Sequence, residues 1–455
     1  MSELRKNDTV TLSITDLNNL GCGVGRLDDG RVVFVKGAVS GDVVLAKLIK
    51  INKSFCVARL ERLIEASPYR ISEDICSAPL ACGGCVYRHI TYEHELVLKR
   101  EYVENAFRKT GLFEVSVSDV RSTGKLCAYR NKAQYPVTQT KDGVRAGFFA
   151  SKSHNIIPAD SCAIQNENFA PIVAFICSFA DSHGWSVYDE ESCRGLLRHI
   201  YMRIGEKTGQ IMVCLVINGD TLPCADEFAR ELTRSFPLAV SVMLNINRES
   251  TNVVLGKKFV TLWGKTYIED ELCGVRFRIS PESFYQVNRD GAELLYSLAA
   301  ERAELRGDEV LMDLYCGTGT IGLTMAHRAH KLCGVEIVAG AVECARQNAA
   351  ANGIDNARFF CADAGDPEVI LKAAGGARPD VVILDPPRKG STRELVECLA
   401  SLSIPRIVYI SCNPDTLARD CAWFSEVGYT LSEVTPVDLF PRTGHVESVV
   451  CLCKQ

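Results

Sequence analysis

The sequence predicts a multidomain protein that ends in a doubly wound α/β domain. From Ser280 onward, strand patterns alternate with helical stretches five times, which is typical of a mostly parallel sheet with helices on both faces. The last two strand patterns, Thr430–Leu439 and His445–Leu452, have no helix between them and predict an antiparallel hairpin at one edge. The length of 455 residues is roughly three times that of a typical domain of about 150 residues.

Two further domains are predicted ahead of residue 280. Residues 1–65 contain short β-branched runs separated by Gly and Asp, as in a small all-β barrel. Residues 66–279 carry repeated strand patterns, including Thr251–Val254, and predict an α+β domain. A polar helix over 93–110 belongs to this stretch or packs on the C-terminal domain, residues 280–455.

The composition is ordinary for a protein in water. Hydrophobic residues make up 47% and charged residues 24%, with a net charge of −5. The longest apolar run is well short of the roughly 18 residues of a membrane span, and the charged start of the chain lacks an apolar signal core. We therefore expect a cytoplasmic monomer with no membrane association and no obligate protein partner. A small basic excess in the first 160 residues fits a polyanion partner, but scattered solvated charges explain it equally well.

A glycine-rich turn predicts a nucleotide-like cofactor at the first strand of the α/β domain. Gly317, Gly319 and Gly322 fit G-x-G-x-x-G, and Glu336 ends the next strand, where a carboxylate binds ribose hydroxyls. This pattern alone fits a dinucleotide as well as S-adenosylmethionine. Asp363 after strand three, placed to accept from an adenine amino group, and Asp385-Pro-Pro-Arg after strand four favour S-adenosylmethionine. Asp313 either contributes to this site or caps the following turn.

The fifth strand ends in a candidate nucleophile. Cys412 lies where the strand meets the next helix, and Glu447 lies at the start of the final strand. A helix N-terminus stabilises a thiolate. A thiolate and a carboxylate are the pair needed to methylate carbon 5 of a pyrimidine: Cys412 adds to carbon 6, carbon 5 attacks the methyl group, and Glu447 removes the carbon 5 proton.

Several motifs together resemble a known family along nearly the whole chain. They are Gly21-Cys-Gly-Val-Gly-Arg, similar to the TRAM domain, an OB-like RNA-binding barrel, and Ser283-Phe-Tyr-Gln-Val-Asn, Asp313-Leu-Tyr-Cys-Gly-Thr-Gly, Asp385-Pro-Pro-Arg, Ser411-Cys-Asn-Pro and Gly444-His-Val-Glu. The set resembles the RNA uracil-5-methyltransferases, in particular the TRAM-containing iron–sulfur branch that acts on 23S rRNA. The resemblance implies a Rossmann-like class I methyltransferase domain. It also implies that Gln286, Tyr315, Glu336 and Asp385 contact the methyl donor or lie where it meets the base, with Cys412 as nucleophile and Glu447 as proton acceptor.

Four of the 21 cysteines have the spacing of metal ligands. Cys76, Cys82 and Cys85 form C-x5-C-G-G-C, and Cys162 follows at a distance. By spacing, four thiolates bind zinc or an iron–sulfur cluster equally well. The family resemblance implies a [4Fe-4S] cluster in a structural and RNA-positioning role. The other cysteines, Cys127 among them, are interpreted as core or incidental thiols.

Basic residues beside aromatic ones predict an RNA surface. Arg130, Asn131 and Lys132 follow Tyr129, the composition of a single-stranded RNA site, although an ordinary exposed strand has the same pattern. The target uridine must lie in a loop or be flipped out of its stack. Three alternatives to a 23S rRNA enzyme remain: a tRNA uracil-5-methyltransferase, a dinucleotide oxidoreductase, and a non-catalytic RNA-binding iron–sulfur protein.

Overall fold

A computed structural model describes residues 4–455, so residues 1–3 of the predicted barrel domain and of the charged start lie outside it. The N-terminal unit is a six-stranded sheet in the order β1-β5-β6-β4-β3-β2, in which only the β4–β6 pairing is parallel. Its alternating side chains, such as Val33, Val35, Val44 and Ala46, are fully buried. The predicted N-terminal β fold is confirmed. Its strands are β1 (Thr9–Ser13), β2 (Asp16–Leu17), β3 (Cys22–Arg26), β4 (Val32–Lys36), β5 (Val43–Ile51) and β6 (Phe55–Glu65).

A long helix, α1 (Tyr92–Lys109), connects the N-terminal sheet to the rest of the chain. The Thr91 side chain accepts from the His94 N–H at its start, and Glu93 in the first turn and Arg108 in the last complement the helix dipole. The helix packs against the C-terminal unit through α9 (Pro414–Glu426) and β22 (Thr435–Val437).

The central unit is a seven-stranded sheet in the order β13-β12-β11-β10-β7-β8-β9, followed by a β14–β15 hairpin. The predicted strand at Thr251–Val254 is wrong. There the Asn247 side chain donates to the carbonyls of Val253 and Val254, at 2.7 and 3.0 Å, and so occupies backbone groups that a strand would need. The elements are β7 (Lys132–Thr140), β8 (Gly143–Phe149), β9 (Ile156–Pro158), α2 (Phe169–Ser182), β10 (Leu197–Ile204), β11 (Ile211–Ile217), α3 (Ala225–Ser235), β12 (Ala239–Ile246), β13 (Lys258–Gly264), β14 (Ile268–Leu272) and β15 (Val275–Ile279).

The C-terminal unit is the predicted α/β sheet, in the order β18-β17-β16-β19-β20-β23-β21. The strand predicted over Thr430–Leu439 is two short strands, β21 and β22, which both pair with β23. The predicted antiparallel pairing at one edge of the sheet is confirmed, with β21 as the outermost strand and β23 between it and β20. The elements are α4 (Arg289–Ala303), β16 (Val310–Leu314), α5 (Thr320–Met325), β17 (Lys331–Glu336), α6 (Ala339–Ala351), β18 (Ala357–Cys361), α7 (Pro367–Ala374), β19 (Val381–Leu384), α8 (Arg393–Ser401), β20 (Arg406–Ser411), α9, β21 (Tyr429–Leu431), β22 and β23 (Glu447–Lys454).

Among residues 4–455, no helix combines the length and the apolar composition that a membrane crossing requires.

Candidate active site

The strand order places a crevice at the carboxyl ends of β16 and β19. These parallel strands are neighbours although β17 and β18 lie between them in sequence, so the winding of the sheet reverses there. Ligands of doubly wound sheets bind outside the carboxyl ends of the strands at this reversal. The loops that follow β16, β17, β19 and β20 therefore form the candidate site.

The loop after β16 leaves room for a ligand at its backbone. Gly317 and Gly319 have φ angles of 54° and 81°, a left-handed conformation that glycine adopts without strain. A Cβ placed on Gly317 would meet no atom within 4 Å, so the space beside it is open. Tyr315 also has a positive φ, 64°, although it carries a side chain. Such backbone strain concentrates at functional sites.

Asp313 fastens this loop to the sheet. Its carboxylate is fully buried. One oxygen, Oδ2, accepts from the Gly322 N–H at 2.9 Å and so caps the turn that follows β16, as one of the two predicted roles of Asp313 requires. The other oxygen, Oδ1, is buried with no hydrogen-bond partner among the described residues. Burial raises the pKa of Asp313 to about 7, because a carboxylate loses its hydration there.

Glu336 is held rigidly at the end of β17. One carboxylate oxygen accepts from the Gly317 N–H at 3.2 Å and the other from the Val338 N–H at 2.9 Å. Each oxygen keeps a lone pair for a further donor. Asp363 lies exposed after β18, and its Oδ1 accepts from the Gly365 N–H at 2.9 Å. The two predicted nucleoside-binding carboxylates thus follow adjacent strands on the side of the crevice away from β19.

Gln286 approaches the same crevice from the segment ahead of α4. Gln286 is buried, and its backbone carbonyl accepts from the Asn131 side chain at 2.9 Å. In the same segment, the Phe284 carbonyl lies 3.5 Å from the Thr318 hydroxyl, which donates to it. The segment therefore lies over the glycine loop, as the predicted role of Gln286 requires.

The sheet brings Cys412 and Glu447 together. Ser411 of β20 pairs with Ser448 of the antiparallel strand β23. Cys412 directly follows Ser411 and Glu447 directly precedes Ser448, so both lie at the same end of this strand pair, and Glu447 is close enough to raise the pKa of the Cys412 thiol. Cys412 is half-buried and Glu447 is buried. Asn413 follows the cysteine and caps α9, since its side chain accepts from the Asp415 N–H at 3.2 Å. The motifs predict both residues, whereas their proximity depends on the pairing of β20 with β23.

The pKa of the Cys412 thiol is raised, whereas stabilisation of a thiolate by the helix dipole would lower it. Burial, with Glu447 and Asp385 next, raises the pKa of the Cys412 thiol. Burial, followed by Asp385, raises the pKa of Glu447 to about 8, and burial raises that of Asp385 to about 7. Arg388 opposes the shift at both Cys412 and Glu447. Burial thus favours the protonated forms of three neighbouring acidic groups, Asp385, Cys412 and Glu447.

Arg388 and His445 form a polar pair beside Cys412. The sequence motifs did not predict this pair. An Arg388 N–H donates to Nδ1 of His445 at 2.7 Å, and burial, with Arg388 second, lowers the pKa of that imidazole. The Arg388 carbonyl accepts from the Asn413 side chain at 2.9 Å, which ties the Asp-Pro-Pro-Arg loop to the start of α9. The one available signal was the position of Arg388 directly after the two prolines.

The four predicted metal ligands line one cavity, of about 240 Å³, in the central unit. Burial raises the pKa of the Cys85 thiol to about 12, with further contributions from the neighbouring Cys162, Cys76 and Cys82. Three basic side chains share the cavity wall, namely Arg88, Arg130 and Lys132. Cys127, interpreted from the sequence as core, is exposed.

The loop that carries three of these cysteines is fixed to the central sheet. The Gly83 N–H donates to the Phe149 carbonyl at 3.1 Å, and a Cβ on Gly83 would lie 2.9 Å from the backbone of Ser151. Arg88 donates to the Cys76 carbonyl at 2.8 Å and to Asp74 at 2.7 Å. The fourth cysteine, Cys162, lies on the loop between β9 and α2.

The predicted RNA contacts are placed differently from the expectation. Asn131 is 3% exposed, and its side chain donates to the backbone carbonyl of Gln286, so it joins the start of β7 to the segment ahead of α4. Arg130 and Lys132 face the cysteine cavity. Burial, with Arg203 and Arg130, lowers the pKa of Lys132 to about 8, which is typical of a desolvated lysine.

Comparison with known proteins decides the family. The family model described as tRNA (uracil-5-)-methyltransferase matches residues 91–455, and the TRAM domain model matches residues 3–60. The chain belongs to the tRNA (uracil-5-)-methyltransferase family. It is an RNA methyltransferase with an N-terminal TRAM domain, which confirms the resemblance found in the sequence.

Relatives of this methyltransferase cover its whole length. A Clostridium tetani protein described as an RNA methyltransferase is 41% identical over 451 residues, which are 99% of this chain and 97% of the relative. A Halalkalibacterium halodurans protein with the same description is 40% identical over 452 residues, 99% of this chain and 98% of the relative.

A solved structure shows the same fold from end to end. It is described as the Pyrococcus abyssi tRNA (uracil-54, C5)-methyltransferase in complex with S-adenosyl-L-homocysteine. The likeness covers 97% of this methyltransferase and 100% of that chain, with a TM-score of 0.79 and 29% identity.

Proposed function

We propose that this methyltransferase transfers a methyl group from S-adenosylmethionine to carbon 5 of a uridine in 23S rRNA. The observation that carries the proposal is the pairing of Ser411 with Ser448, which brings the adjacent residues Cys412 and Glu447 to the same end of β20 and β23, near Asp385. Carbon 5 of uracil is a weak nucleophile, and a reversible thiolate adduct at carbon 6 activates it. The two side chains are the nucleophile and the base that this route requires.

The residues divide the reaction between them. The Cys412 sulfur forms a bond to carbon 6, and carbon 5 takes the methyl group as the donor's carbon–sulfur bond breaks. The Glu447 carboxylate then takes the carbon 5 proton, and the carbon 6–sulfur bond breaks to restore the thiolate. Arg388 is the cation that faces both groups, so it stabilises their ionised forms.

The crevice suits the proposed methyl donor. S-adenosylmethionine supplies an electrophilic methyl group when bound. Glu336 has free lone pairs for ribose hydroxyls, and Asp363 is exposed for an adenine amino group. The open backbone at Gly317 and Gly319, with Tyr315, Gln286 and Asp385 around it, would hold the remainder. The solved relative described as an S-adenosyl-L-homocysteine complex supports this donor.

The substrate is proposed from the family resemblance, which favours 23S rRNA. A second candidate, tRNA, is favoured by the full-length likeness to a structure described as a tRNA (uracil-54, C5)-methyltransferase. Mass-spectrometric mapping of 5-methyluridine in rRNA and tRNA separates the two. We expect a deletion strain to lose 5-methyluridine from 23S rRNA, with wild-type protein restoring it and Cys412→Ala failing to do so. Loss from tRNA alone would overturn the rRNA assignment, and no loss from either RNA would overturn the proposed function.

The cysteine cavity is proposed to hold a [4Fe-4S] cluster on Cys76, Cys82, Cys85 and Cys162. Four thiolates with Arg88, Arg130 and Lys132 around them suit an anionic cluster.

Metal analysis of anaerobically purified protein tests this cluster. Iron and sulfide should be present in the wild type, lost in Cys85→Ser, and retained in Cys127→Ser, a variant of an exposed cysteine outside the cavity. Stoichiometric zinc without iron would overturn the assignment.

A further inference from the structure

A histidine, a cysteine and a glutamate meet on the outer side of the central unit. His183 ends α2, Cys224 precedes α3, and Glu227 lies in the first turn of α3. One possible ligand atom from each residue lies within 4.8 Å of the other two. The three residues lie on elements that neither the cysteine cavity nor the catalytic crevice uses.

The imidazole is oriented as in a metal site. His183 Nδ1 lies 3.0 Å from both the Phe179 carbonyl and the Ser182 hydroxyl. In the tautomer that donates from Nδ1 to this carbonyl, the lone pair is on Nε2, which lies 3.8 Å from Oε2 of Glu227. Histidines that bind metals almost always donate their second ring N–H to a carbonyl or carboxylate in this way. The ring also stacks on Phe179, with centroids 3.8 Å apart and an interplanar angle of 8°.

The two segments that carry the ligands are fastened to each other. The Trp185 indole N–H, two residues after His183, donates to the carbonyl of Pro223, the residue before Cys224, at 3.1 Å. The backbone of Cys224 itself has φ 56° and ψ 29°, a conformation that a residue with a side chain adopts at a cost. This backbone conformation places Cys224 directly ahead of the first residue of α3.

We propose that His183, Cys224 and Glu227 bind one zinc ion, with a water molecule as fourth ligand. Imidazole, thiolate and carboxylate together suit zinc better than magnesium or calcium, which prefer oxygen alone. The thiol binds as thiolate and releases its proton to solvent. Ligand distances of about 2.1 Å place tetrahedral nitrogen and oxygen ligands roughly 3.4 Å apart, so closure from 3.8 Å needs only a small side-chain movement. The ion joins the end of α2 to the start of α3 and stabilises the helical face of the central sheet.

Zinc binding to the purified protein with its cysteine cavity intact tests the proposal. The protein is equilibrated with Zn²⁺ alone, passed through a desalting column, and analysed for zinc and iron by mass spectrometry. We expect one zinc per chain more in the wild type than in His183→Gln or Cys224→Ser, with equal iron in all three. The matched control is His154→Gln, which removes an exposed histidine that also contacts a glutamate, Glu190, at 2.6 Å; it should keep the zinc.

Thermal melting with and without zinc gives a second readout. Zinc should raise the melting temperature of the wild type and of His154→Gln, and should leave that of His183→Gln and Cys224→Ser unchanged, because a ligand stabilises only a state that binds it. Equal zinc contents in the wild type and the two ligand variants would overturn the site. Zinc bound with no change in wild-type melting would overturn the stabilising role.

Discussion

The backbone carbonyl of Asn19 lies against the Cα of Gly444, so the TRAM domain contacts the loop that carries Glu447. Nearby, the Tyr87 hydroxyl donates to the Asn18 carbonyl at 3.1 Å, and the Tyr87 N–H donates to the Arg442 carbonyl at 3.0 Å. The N-terminal domain is therefore part of the support of the proposed base. It is not only an attached RNA-binding module.

This contact predicts that Gly444→Ala reduces activity. A Cβ at position 444 would overlap the Asn19 carbonyl, so the barrel loop or the Glu447 loop must move. We expect a reduction in kcat/KM of roughly 100-fold, the order reported for a 1 Å misplacement of reacting groups, measured as methyl transfer to RNA. Gly340→Ala is the control, because a Cβ there meets nothing within 4 Å. Equal activity of both variants would show that the contact does not position Glu447.

Glu447→Gln should trap the reaction after methyl transfer. The amide cannot take the carbon 5 proton, so the bond between Cys412 and carbon 6 persists. We expect turnover to fall by roughly 100- to 10,000-fold, the usual range for a lost general base, and a denaturation-resistant protein–RNA species to accumulate on a gel. The species should be absent in the double variant with Cys412→Ala. Glu433→Gln, at an exposed carboxylate, should behave as wild type, and a trapped species that forms without Cys412 would contradict the mechanism.

The raised pKa values predict a reaction that becomes faster with increasing pH. Cys412 and Glu447 must both be ionised, and burial raises the pKa of each, that of Glu447 to about 8. Arg388 opposes these shifts, so Arg388→Gln should move the rising limb of the rate profile to higher pH. Arg388→Lys, which keeps the charge, should move it less. Single-turnover rates across pH measure the limb, with Lys389→Gln as the control, and an unshifted limb in Arg388→Gln would exclude this role for the arginine.

The sequence predicted the parts of the site that short motifs carry, and missed those that depend on tertiary packing. The glycine loop, Glu336, Cys412 and Glu447 each stand beside a strand end, so local pattern and sheet topology together suffice to place them. Asn131 shows the limit. Its basic and aromatic neighbours suggested a surface, whereas the fold uses its amide to hold the Gln286 carbonyl. Similarly, the antiparallel pairing at the sheet edge was predicted, but the division of Thr430–Leu439 into β21 and β22 was not, because it depends on how both strands pair with β23.

A buried lysine joins α1 to the catalytic domain and gives the last prediction. Lys99 is 1% exposed and donates to Glu95 and Asp438, each at 2.7 Å. Lys99→Met would remove the cation that both carboxylates share and leave only Arg442, 3.6 Å from Glu95, beside one of them. Breaking a buried ion pair costs about 3–5 kcal/mol. Burial already raises the pKa of Glu95 to about 7 in the wild type, above its ordinary value of 4.5. The protonated carboxyl therefore favours the folded state at low pH, and that contribution is lost as the pH rises through about 7. Loss of the lysine raises this pKa further, so the stability deficit of Lys99→Met should grow as the pH rises above about 7, where the wild-type carboxyl ionises and that of the variant stays protonated. Urea unfolding followed at several pH values measures the deficit.

The control is Lys109→Met, at an exposed lysine 3.8 Å from Asp415, which should change stability by less than about 1 kcal/mol. A stability deficit of Lys99→Met that does not depend on pH would show that the charge of Lys99 does not stabilise the two carboxylates.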